Sequence, residues 1–411
     1  MQKSHTSVFA GIDIGTSHTK CVIGTVDADQ HTLPTIVGVG KAQNLGMRKG
    51  SVIHIDEVAE SIAAAVNEAE RTSGQRVTAA TISVNGSHLQ GMNSKGIIAI
   101  SSTPREVVEE DRGRVEEAAT VVKLPPNRDI LQVFARNYRL DGQDNIKNPV
   151  GMSGVRLEID AHIVTASAPA LRNIEHSFER SQIEIHHRIV SGLAAAEAVL
   201  ERRQKESGCV VLDIGAGTTS IVVFEEAEVQ HIAVLPIGGQ HITNDLAIGL
   251  RTDIDIADEV KLKFARAMFP DEEDDKEIEV RVKGKTHTFK QQEIDEVVEA
   301  RLDELFQLID KELKKIQKSR KLPGGVYITG GTAGLKGIDV FARDALELPA
   351  RVARITHKAV IDEVSAPEYA SAVGLMLLDY QLPNEYYEKS SAANWKATSG
   401  RVKGFLRKFK S

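Results

Sequence analysis

Aromatic residues make up only 4% of this 411-residue chain, and tryptophan occurs once. Proteins that hold single-stranded nucleic acid by stacking its bases need more aromatic side chains, so this class is disfavoured. The two cysteines, Cys21 and Cys209, are too few for a disulfide framework or a thiolate metal site, and we expect buried thiols. No run of eighteen apolar residues occurs, and the first residues lack the apolar stretch of a secretory signal. We therefore expect a cytoplasmic protein with no membrane-spanning segment.

Charge is unevenly distributed along the chain. The composition, with 41% hydrophobic and 27% charged residues, is that of a globular protein with two to four domains or subdomains. The last sixteen residues carry six lysines and arginines and no acid, so a net charge of −7 for the whole chain leaves −13 for the rest. A body this acidic disfavours nucleic acid as a partner, and the basic end is a separate feature.

The most informative stretch is residues 209–220, which read CVVLDIGAGTTS. Four apolar residues lead into Asp213, and glycines follow at once, which is typical of a buried strand that enters a tight turn. A second apolar run follows at 221–224, so the segment predicts a β-hairpin and not the strand-to-helix loop of Walker or Rossmann sites. Glycine backbone in such a turn can approach phosphate oxygens closely, and the aspartate can hold a hydrated Mg²⁺.

The same pattern occurs near the start of the chain, where residues 8–20 read VFAGIDIGTSHTK. Asp13 corresponds to Asp213, and hydroxyls follow the glycine in both copies. Two such hairpins, one opening each half of the chain, favour a duplicated fold that clamps a triphosphate between two lobes, with purely structural hairpins as the alternative. The phosphate-binding residues predicted from the turns are Gly15, Thr16, Ser17, Gly215, Gly217, Thr218 and Thr219, and Asp13 and Asp213 are the predicted magnesium residues.

Alternating strand and helix patterns between the hairpins predict an α/β fold. A helix is expected over Ile55–Ser73 with Asp56 as its N-cap, and another over Leu193–Arg203. Residues 85–160 interrupt the first half with short strands and one charged helix, which indicates an inserted α+β module. The segment Ile163–Thr165 is then expected to return to the first sheet.

The two hairpins, together with GVYITGGTAGLKG at 325–337, resemble the nucleotide signature of the actin and heat-shock ATPase superfamily. The resemblance implies a duplicated two-lobe, actin-like (ribonuclease H-like) fold that binds ATP with Mg²⁺. It places Gly330, Gly331 and Thr332 beneath the adenine, where glycines leave flat backbone. It also implies that Lys20 contacts the phosphates. The resemblance further assigns Asp258 and Lys261 to the ribose, with a surface ion pair as the alternative.

Several further segments resemble one family within this superfamily, the FtsA family of bacterial cell-division proteins. They are GMRKGSVIHI, IKNPVGMSGVR, VSGLAAAEAVL and PIGGQHITNDLA. The resemblance spans nearly the whole chain in order. It implies an actin-like filament formed with other copies of the chain, an insert that meets other division proteins, and a small subdomain that binds the C-terminal peptide of the tubulin-like protein FtsZ. Arg301 lies where the family has a basic residue implicated in that contact, and an exposed helix arginine is the alternative.

The expected domains follow from the elements and from the resemblance. They are a first lobe (5–84, 162–203 and 361–381), the insert (85–161), a second lobe (204–242 and 303–360), the small subdomain (243–302), a linker (382–400) and a terminal helix (401–411).

One departure from actin-like hydrolases concerns the residue that orients the attacking water. Those enzymes place Gln or Glu just before an Ala-rich helix, and here Ser191 occupies that position, with Glu197 about a turn and a half too late. Serine is a poor general base, so we expect nucleotide binding with slow or negligible hydrolysis.

The end of the chain predicts an amphipathic helix after a polar linker. Its apolar residues fall at i, i+3, i+4 and i+7, and basic residues surround them. The membrane-contacting residues predicted here are Val402, Phe405, Leu406, Arg407, Lys408 and Phe409. This pattern favours a helix in the headgroup layer of an anionic membrane over a core-docked or nucleic-acid-binding arm, and the family resemblance agrees.

These features together predict an adaptor that binds ATP, polymerises, and tethers FtsZ filaments to the cytoplasmic face of the membrane at the division site. An actin-like pilus-assembly protein, or a kinase-type phosphotransferase on the same fold, is the alternative.

Overall fold

A computed structural model describes residues 6–27, 33–268, 276–355, 357 and 361–382. The strands within these residues are β1 (Thr6–Ile14), β2 (His18–Asp27), β3 (Thr35–Gln43), β4 (Met47–Arg48), β5 (Ser51–Val52), β6 (Ala79–Val84), β7 (Gln90–Ala99), β8 (Arg105–Glu106), β9 (Arg128–Leu140), β10 (Gln143–Ile146), β11 (Ser153–Gly154), β12 (Arg156–Ser167), β13 (Glu184–Val190), β14 (Cys209–Ile214), β15 (Thr219–Glu225), β16 (Glu228–Leu235), β17 (Glu277–Val282), β18 (Lys285–Lys290), β19 (Gly325–Thr329) and β20 (Ala350–Val352). The α-helices are α1 (Ile55–Ser73), α2 (Glu109–Thr120), α3 (Ala168–Ser181), α4 (Ser191–Val199), α5 (Arg202–Glu206), α6 (Gly239–Gly249), α7 (Ile254–Phe264), α8 (Gln291–Lys315), α9 (Ile338–Leu346) and α10 (Ala370–Gln381).

Two five-stranded sheets share one topology, which confirms the predicted duplication. The first has the order β13-β6-β1-β2-β3 and the second the order β20-β19-β14-β15-β16. In each, an antiparallel meander of three strands carries the Asp-Gly turn between its first two members, and two parallel strands flank the first strand. Parallel neighbours need crossover connections, and helices supply them. The α/β fold is therefore a pair of equivalent lobes.

Helices α4 and α10 pack against each other at the centre of the molecule. A Cβ on Gly374 would overlap the carbonyl of Ala194, and one on Gly11 would overlap the backbone of Ala372. Glycine at these positions therefore lets α10 approach both α4 and β1. Buried residues of α4, α10 and the first sheet share one core with residues on one face of the second sheet, such as Val211 and Val222. The two lobes are therefore joined through one hydrophobic core.

The insert forms its own four-stranded sheet, β10-β9-β12-β7, with α2 packed on it and a separate core. Its strand β12 runs to Ser167, so the prediction that Ile163–Thr165 return to the first sheet is wrong. These residues pair instead with β7 and β9, which run alongside β12 over this whole stretch. The insert also contacts β16, the edge strand of the second sheet, where the imidazole Nε2 of His162 accepts a hydrogen bond from the Ile232 amide at 3.1 Å.

Two further local predictions differ from the structure. Helix α1 has the predicted bounds, but its N-cap is His54, and Asp56 lies in the first turn, where its charge favours the helix dipole. The helix predicted over Leu193–Arg203 is two helices, α4 and α5, because the backbone is extended at Leu200 and Glu201.

The range expected for the small subdomain, 243–302, holds most of α6, all of α7, the β17-β18 hairpin and the first half of α8. Among the described residues, no helix combines the length and the apolarity that crossing a membrane requires.

Candidate functional site

The two Asp-x-Gly turns, which begin at Asp13 and Asp213, come together between the lobes in a region that we call the cleft. A Cβ on Gly217 in the second turn would lie 2.8 Å from Oγ1 of Thr16 in the first, so the turns are in contact and only glycine fits there. The amides of Gly15 and Gly215 each close their own hairpin, donating to the His18 carbonyl at 3.1 Å and to the Thr218 carbonyl at 2.9 Å. These two amides therefore shape the turns.

The pairing of the hairpins reveals which residues of the two turns are equivalent. The hydrogen bond that closes the turn is accepted by His18 in the first hairpin and by Thr218 in the second, so these two residues are equivalent. Thr19 therefore corresponds to Thr219. Thr219 is fully buried, and its hydroxyl donates to the Ile237 carbonyl at 2.8 Å. The Thr219 hydroxyl is therefore engaged with backbone of its own lobe, and its contact with a phosphate stays a prediction.

The remaining predicted hydroxyls lie at the turns. Thr16 Oγ1 accepts a hydrogen bond from the Gly50 amide at 3.1 Å, and the exposed Ser17 hydroxyl lies 2.8 Å from Nδ1 of His18. Thr218 Oγ1 accepts from the Asn85 side-chain amide at 3.0 Å. Asn85 follows β6 of the first lobe, so this bond joins the lobes directly.

The carboxylates of Asp13 and Asp213 lie within electrostatic range of each other. Asp213 is 8% exposed, and burial, followed by the charge of Asp13, raises its pKa to about 6. Asp13 is half-buried, and burial also raises its pKa, against the opposing effects of Lys20 and of a hydrogen bond from Ser83. Ser371, in the first turn of α10, donates to Oδ2 of Asp213 at 3.2 Å. Two mutually repelling carboxylates with little access to solvent favour the binding of a cation between them.

The donor set at these carboxylates fits a hydrated Mg²⁺. Among the described residues, no group of three or more His, Cys, Asp and Glu side chains is arranged to hold a metal ion. A cation held by these two carboxylates alone would keep most of its waters, which Mg²⁺ readily does when phosphate oxygens complete its shell. Asp13 and Asp213 would hold such an ion, which would neutralise phosphate charge.

Lys20 lies beside this pair on β2, directly opposite Asp13 in the hairpin register. Its Nζ is 3.6 Å from Oε2 of Glu368 and 5.7 Å from the centre of the Tyr369 ring. Lys41 pairs with the same carboxylate at 3.0 Å. The corresponding position in the second hairpin is Ser220, so the lysine gives the two lobes different charges at the cleft.

The glycine turn after β19 borders the second Asp-Gly turn. Gly330 has φ +87°, and a Cβ there would lie 2.6 Å from Oδ1 of Asp213, whereas nothing lies within 4 Å of a Cβ on Gly331. The Thr332 hydroxyl donates to the Gly215 carbonyl at 3.0 Å. The predicted adenosine turn and the predicted phosphate turn are therefore joined, with open space beside Gly331.

Asp258 and Lys261 lie on α7 and form an ion pair of 2.6 Å, to which Thr243 of α6 adds a hydrogen bond of 3.0 Å to Asp258. The charge of Asp258 acts on the pKa of His18, although burial and Lys41 lower that pKa more strongly. Asp258 therefore lies within electrostatic range of the first turn. The ion pair that was the alternative is present, and the contact of these two residues with a ribose stays a prediction.

The position expected for a water-orienting residue holds no base. Ser191 is buried at the start of α4, with its hydroxyl 3.3 Å from that of Ser220. Glu197 pairs with Lys205 at 2.8 Å and is held there, two turns along α4.

Arg301 of α8 is engaged within the small subdomain. Its guanidinium donates to both carboxylate oxygens of Asp245, at 2.5 and 3.0 Å, and it also pairs with Glu304. These hydrogen bonds raise its pKa, and the side chain is partly buried. It is thus an ordered cation on the subdomain surface and not a freely exposed one. The linker beyond Leu382 and the predicted membrane residues Val402, Phe405, Leu406, Arg407, Lys408 and Phe409 lie outside the described residues.

Sequence reasoning missed three residues of the cleft: Asn85, Glu368 and Ser371. Each is distant in sequence from both turns, and only the fold brings them there. The one available signal was for Asn85, since an Asn-Gly pair directly after a buried strand marks a sharp turn at the same sheet edge as Asp13.

Comparison with known proteins agrees with this fold and its insert. The family model described as Cell division protein FtsA matches residues 210–374, and a second, described as the SHS2 domain inserted in FTSA, matches residues 86–165. Curated proteins named Cell division protein FtsA are similar over most of their length. The one from Pseudomonas aeruginosa is 37% identical over 91% of this chain and 89% of its own, and the one from Bacillus subtilis is 36% identical over 91% and 83%. The Escherichia coli K12 protein is 30% identical over 94% and 91%.

Solved structures with low sequence identity share the fold. A PilM-PilN type IV pilus biogenesis complex matches with a TM-score of 0.65 and 18% identity over 90% of this chain and 98% of the matched chain. A MamK double helical filament matches with a TM-score of 0.52 and 14% identity over 92% and 99%. MreB5 of Spiroplasma citri bound to ADP matches with a TM-score of 0.52 and 13% identity over 91% and 96%. The actin-like fold class is therefore confirmed.

Proposed function

Because the chain belongs to the FtsA family of cell-division proteins, we propose that it binds MgATP in its cleft, polymerises, and tethers FtsZ filaments to the membrane. Its role in cell division follows from the family. The family also separates it from pilus-assembly proteins, with which it shares a fold. The nucleotide, the filament, the FtsZ contact and the membrane contact are our proposal.

The observation that carries the proposal is the pairing of Asp13 and Asp213 across one cleft. The charge of Asp13 raises the pKa of Asp213, so the two carboxylates lie within electrostatic range of each other, and the proposal has them share a hydrated cation. Lys20 and the contacting turns at Thr16 and Gly217 surround them. MgATP would complement these charges, because its metal ion would bind near the two carboxylates and its phosphates would bind Lys20.

The cleft favours binding over turnover. Ser191 occupies the place of the water-orienting residue, and the only nearby glutamate on α4, Glu197, is held by Lys205. Without a positioned base, proton transfer from the attacking water lacks its usual assistance of about 10²–10⁴-fold. ATP would then act mainly as a ligand that fixes the lobes relative to each other.

The fold supports self-assembly and nucleotide control together. One structure with this fold is a double helical filament, and another holds ADP. We propose that copies of this chain stack in the same manner when the lobes are fixed by nucleotide. The small subdomain, with Arg301 ordered by Asp245, would receive the FtsZ C-terminal peptide, and the insert would meet other division proteins.

The basic end of the chain supports membrane attachment that depends on assembly. Six cations near an anionic surface contribute at most about 6 kcal/mol. Four apolar side chains, partly inserted, add about 4–6 kcal/mol. Ordering about ten residues costs on the order of 10 kcal/mol, which helix hydrogen bonds partly offset. A single tail therefore binds marginally, and several tails on one filament bind by avidity.

Co-sedimentation with vesicles of phosphatidylglycerol and phosphatidylethanolamine tests the proposal. We expect the wild-type chain to sediment weakly without nucleotide and strongly with MgATP, and to carry an FtsZ tail peptide with it. Phe405→Glu should abolish sedimentation because it places a charge on the apolar stripe. Gly404→Glu is the matched control, since it adds the same charge on the opposite face of the helix and should retain most binding. Equal sedimentation of all three chains would contradict the proposed role of the tail.

A further inference from the structure

Glu368 lies in a short turn, Pro367–Tyr369, immediately before α10. Its carboxylate accepts hydrogen bonds from Nζ of Lys41 at 3.0 and 3.2 Å and lies 3.6 Å from Nζ of Lys20. Glu368 therefore contacts the lysine that the proposed function assigns to the phosphates. The Lys20 side chain is only 11% exposed, so its ammonium group has little contact with solvent.

The turn that carries Glu368 is fixed by the neighbouring glycine turn. The Pro367 carbonyl accepts hydrogen bonds from the Thr329 hydroxyl at 2.7 Å and from the Gly330 amide at 3.2 Å. These bonds set the backbone position of Glu368 relative to the predicted adenosine site. Hydrogen bonds to the preceding carbonyl thus hold the backbone that places Glu368 beside Lys20.

The electrostatics of Glu368 agree with an ionised group that shares two cations. Burial raises its pKa, but the charges of Lys20 and Lys41 and the hydrogen bond from Lys41 more than offset this, and the net pKa lies below the ordinary value. The contact with Lys41 is the shorter of the two. Lys20 can consequently leave the carboxylate while Lys41 stays bonded to it.

We propose, on the premise that the cleft binds nucleotide, that Glu368 is an internal competitor of the nucleotide's phosphates for Lys20. Without nucleotide, the Glu368 carboxylate is paired with the Lys20 ammonium group. When a phosphate approaches, Lys20 transfers to it, and Glu368 stays with Lys41. The residual negative charge beside the phosphate site lowers affinity in proportion to the ligand's own charge, so Glu368 weakens triphosphate binding most and leaves the binding of the nucleoside alone unchanged.

Binding measurements with a charge series test this inference. Dissociation constants for MgATP, MgADP and adenosine would be measured by calorimetry for the wild-type chain and for Glu368→Gln. We expect the variant to bind MgATP about tenfold more tightly, which is about 1.4 kcal/mol. The gain should be smaller for MgADP, absent for adenosine, and reduced at high salt. Glu368→Asp keeps the charge but shortens its reach, and its constants should lie between those of the other two chains.

Glu68→Gln is the matched control. Glu68 accepts a hydrogen bond from the backbone amide of Lys41 at 3.0 Å, so the substitution removes one negative charge from the same region without freeing Lys20. We expect wild-type constants. A gain equal to that of Glu368→Gln would make the effect one of general charge and would overturn the inference.

The outcomes separate this inference from the proposed function. If the wild-type chain binds none of the three ligands at millimolar concentration, the proposed nucleotide site is wrong, and the inference falls with it. If the wild-type chain binds MgATP but Glu368→Gln leaves its affinity unchanged or weakens it, only the competition is wrong. An equal shift for ATP and adenosine would likewise overturn it, because a backbone effect of the turn would produce that pattern.

Discussion

Removing the charge of Asp213 should stabilise the protein without nucleotide and destabilise it relative to wild type when MgATP is present. The carboxylate is 8% exposed, and burial and Asp13 raise its pKa to about 6. An Asp that titrates near 6 instead of 3.8 costs the folded state about 3 kcal/mol once it is ionised. Asp213→Asn keeps the shape and can still accept the Ser371 hydroxyl, so we expect the free energy of unfolding to rise by about 2–3 kcal/mol at pH 7.5 in EDTA.

The pH dependence follows from the direction of the shift. Between about pH 4 and pH 6 the folded wild-type chain holds a proton at Asp213 that the unfolded chain has lost, so wild-type stability falls as the pH rises through this window. The stability of Asp213→Asn does not fall for this reason. The difference in free energy of unfolding between the two chains should therefore be small near pH 4 and reach its full size above about pH 6.5.

Ligand should reverse the order of stability. A ligand at a thousand times its dissociation constant stabilises the folded chain by about 4.1 kcal/mol, which exceeds the variant's advantage of about 2–3 kcal/mol. Wild type should gain this with MgATP, whereas the variant has lost half of the metal-holding pair and should gain little. The assay is urea unfolding followed by circular dichroism, with EDTA or with MgATP.

Asp379→Asn provides a matched control at another buried aspartate of the same molecule. Asp379 is 2% exposed, but it accepts hydrogen bonds from the Ala10 amide and the Thr81 hydroxyl at 3.1 and 2.8 Å, and it pairs with His186 at 2.8 Å. These partners compensate for the burial of the Asp379 carboxylate, so Asp379→Asn should lower the free energy of unfolding by about 1–3 kcal/mol. If Asp213→Asn also destabilises in EDTA, the two carboxylates of the cleft do not repel each other as argued.

Three further predictions concern the glycine turn, the insert and the chemistry. Gly330→Ala should lower the free energy of unfolding in urea by at least about 1–3 kcal/mol, because φ is +87° and a Cβ would overlap a neighbouring carboxylate; Gly331→Ala, with open space, should leave it unchanged. His162→Phe should leave the buried Ile232 amide unpaired, at a cost of about 1–3 kcal/mol. Burial lowers the pKa of His162 to about 3, so hydrogen exchange at that amide should accelerate equally at pH 6 and pH 8, and unchanged exchange would count against the contact. Single-turnover hydrolysis of MgATP should be slower than about 1 per second, since Ser191 replaces the usual base, and a faster rate would refute this.

Local chemistry made the two hairpins predictable. Apolar runs that end in Asp-x-Gly specify a strand and a tight turn within about fifteen residues, and the duplication followed from seeing the pattern twice. The bounds of α1 were also predicted, because helical periodicity is visible within a single short segment.

Partners distant in sequence decided what the local pattern left open. Thr218 and Thr219 are adjacent hydroxyls in the sequence, but in the fold one bonds to Asn85 and the other to Ile237. The end of β12 looked like a return to the first sheet, but its partners β7 and β9 hold it in the insert. Neither choice is visible in the residues themselves.

The sequence by itself determined the lobes, their turns and the two aspartates, because each depends on the order of apolar, acidic and glycine residues in one short segment. Only the tertiary structure decided that Asp13 and Asp213 share one cleft, that Glu368 reaches Lys20, and that the insert bonds to the edge of the second sheet. The physical reason is that electrostatic repulsion and buried hydrogen bonds depend on distance in space, and residues separated by seventy positions or more come close to each other only when the chain folds.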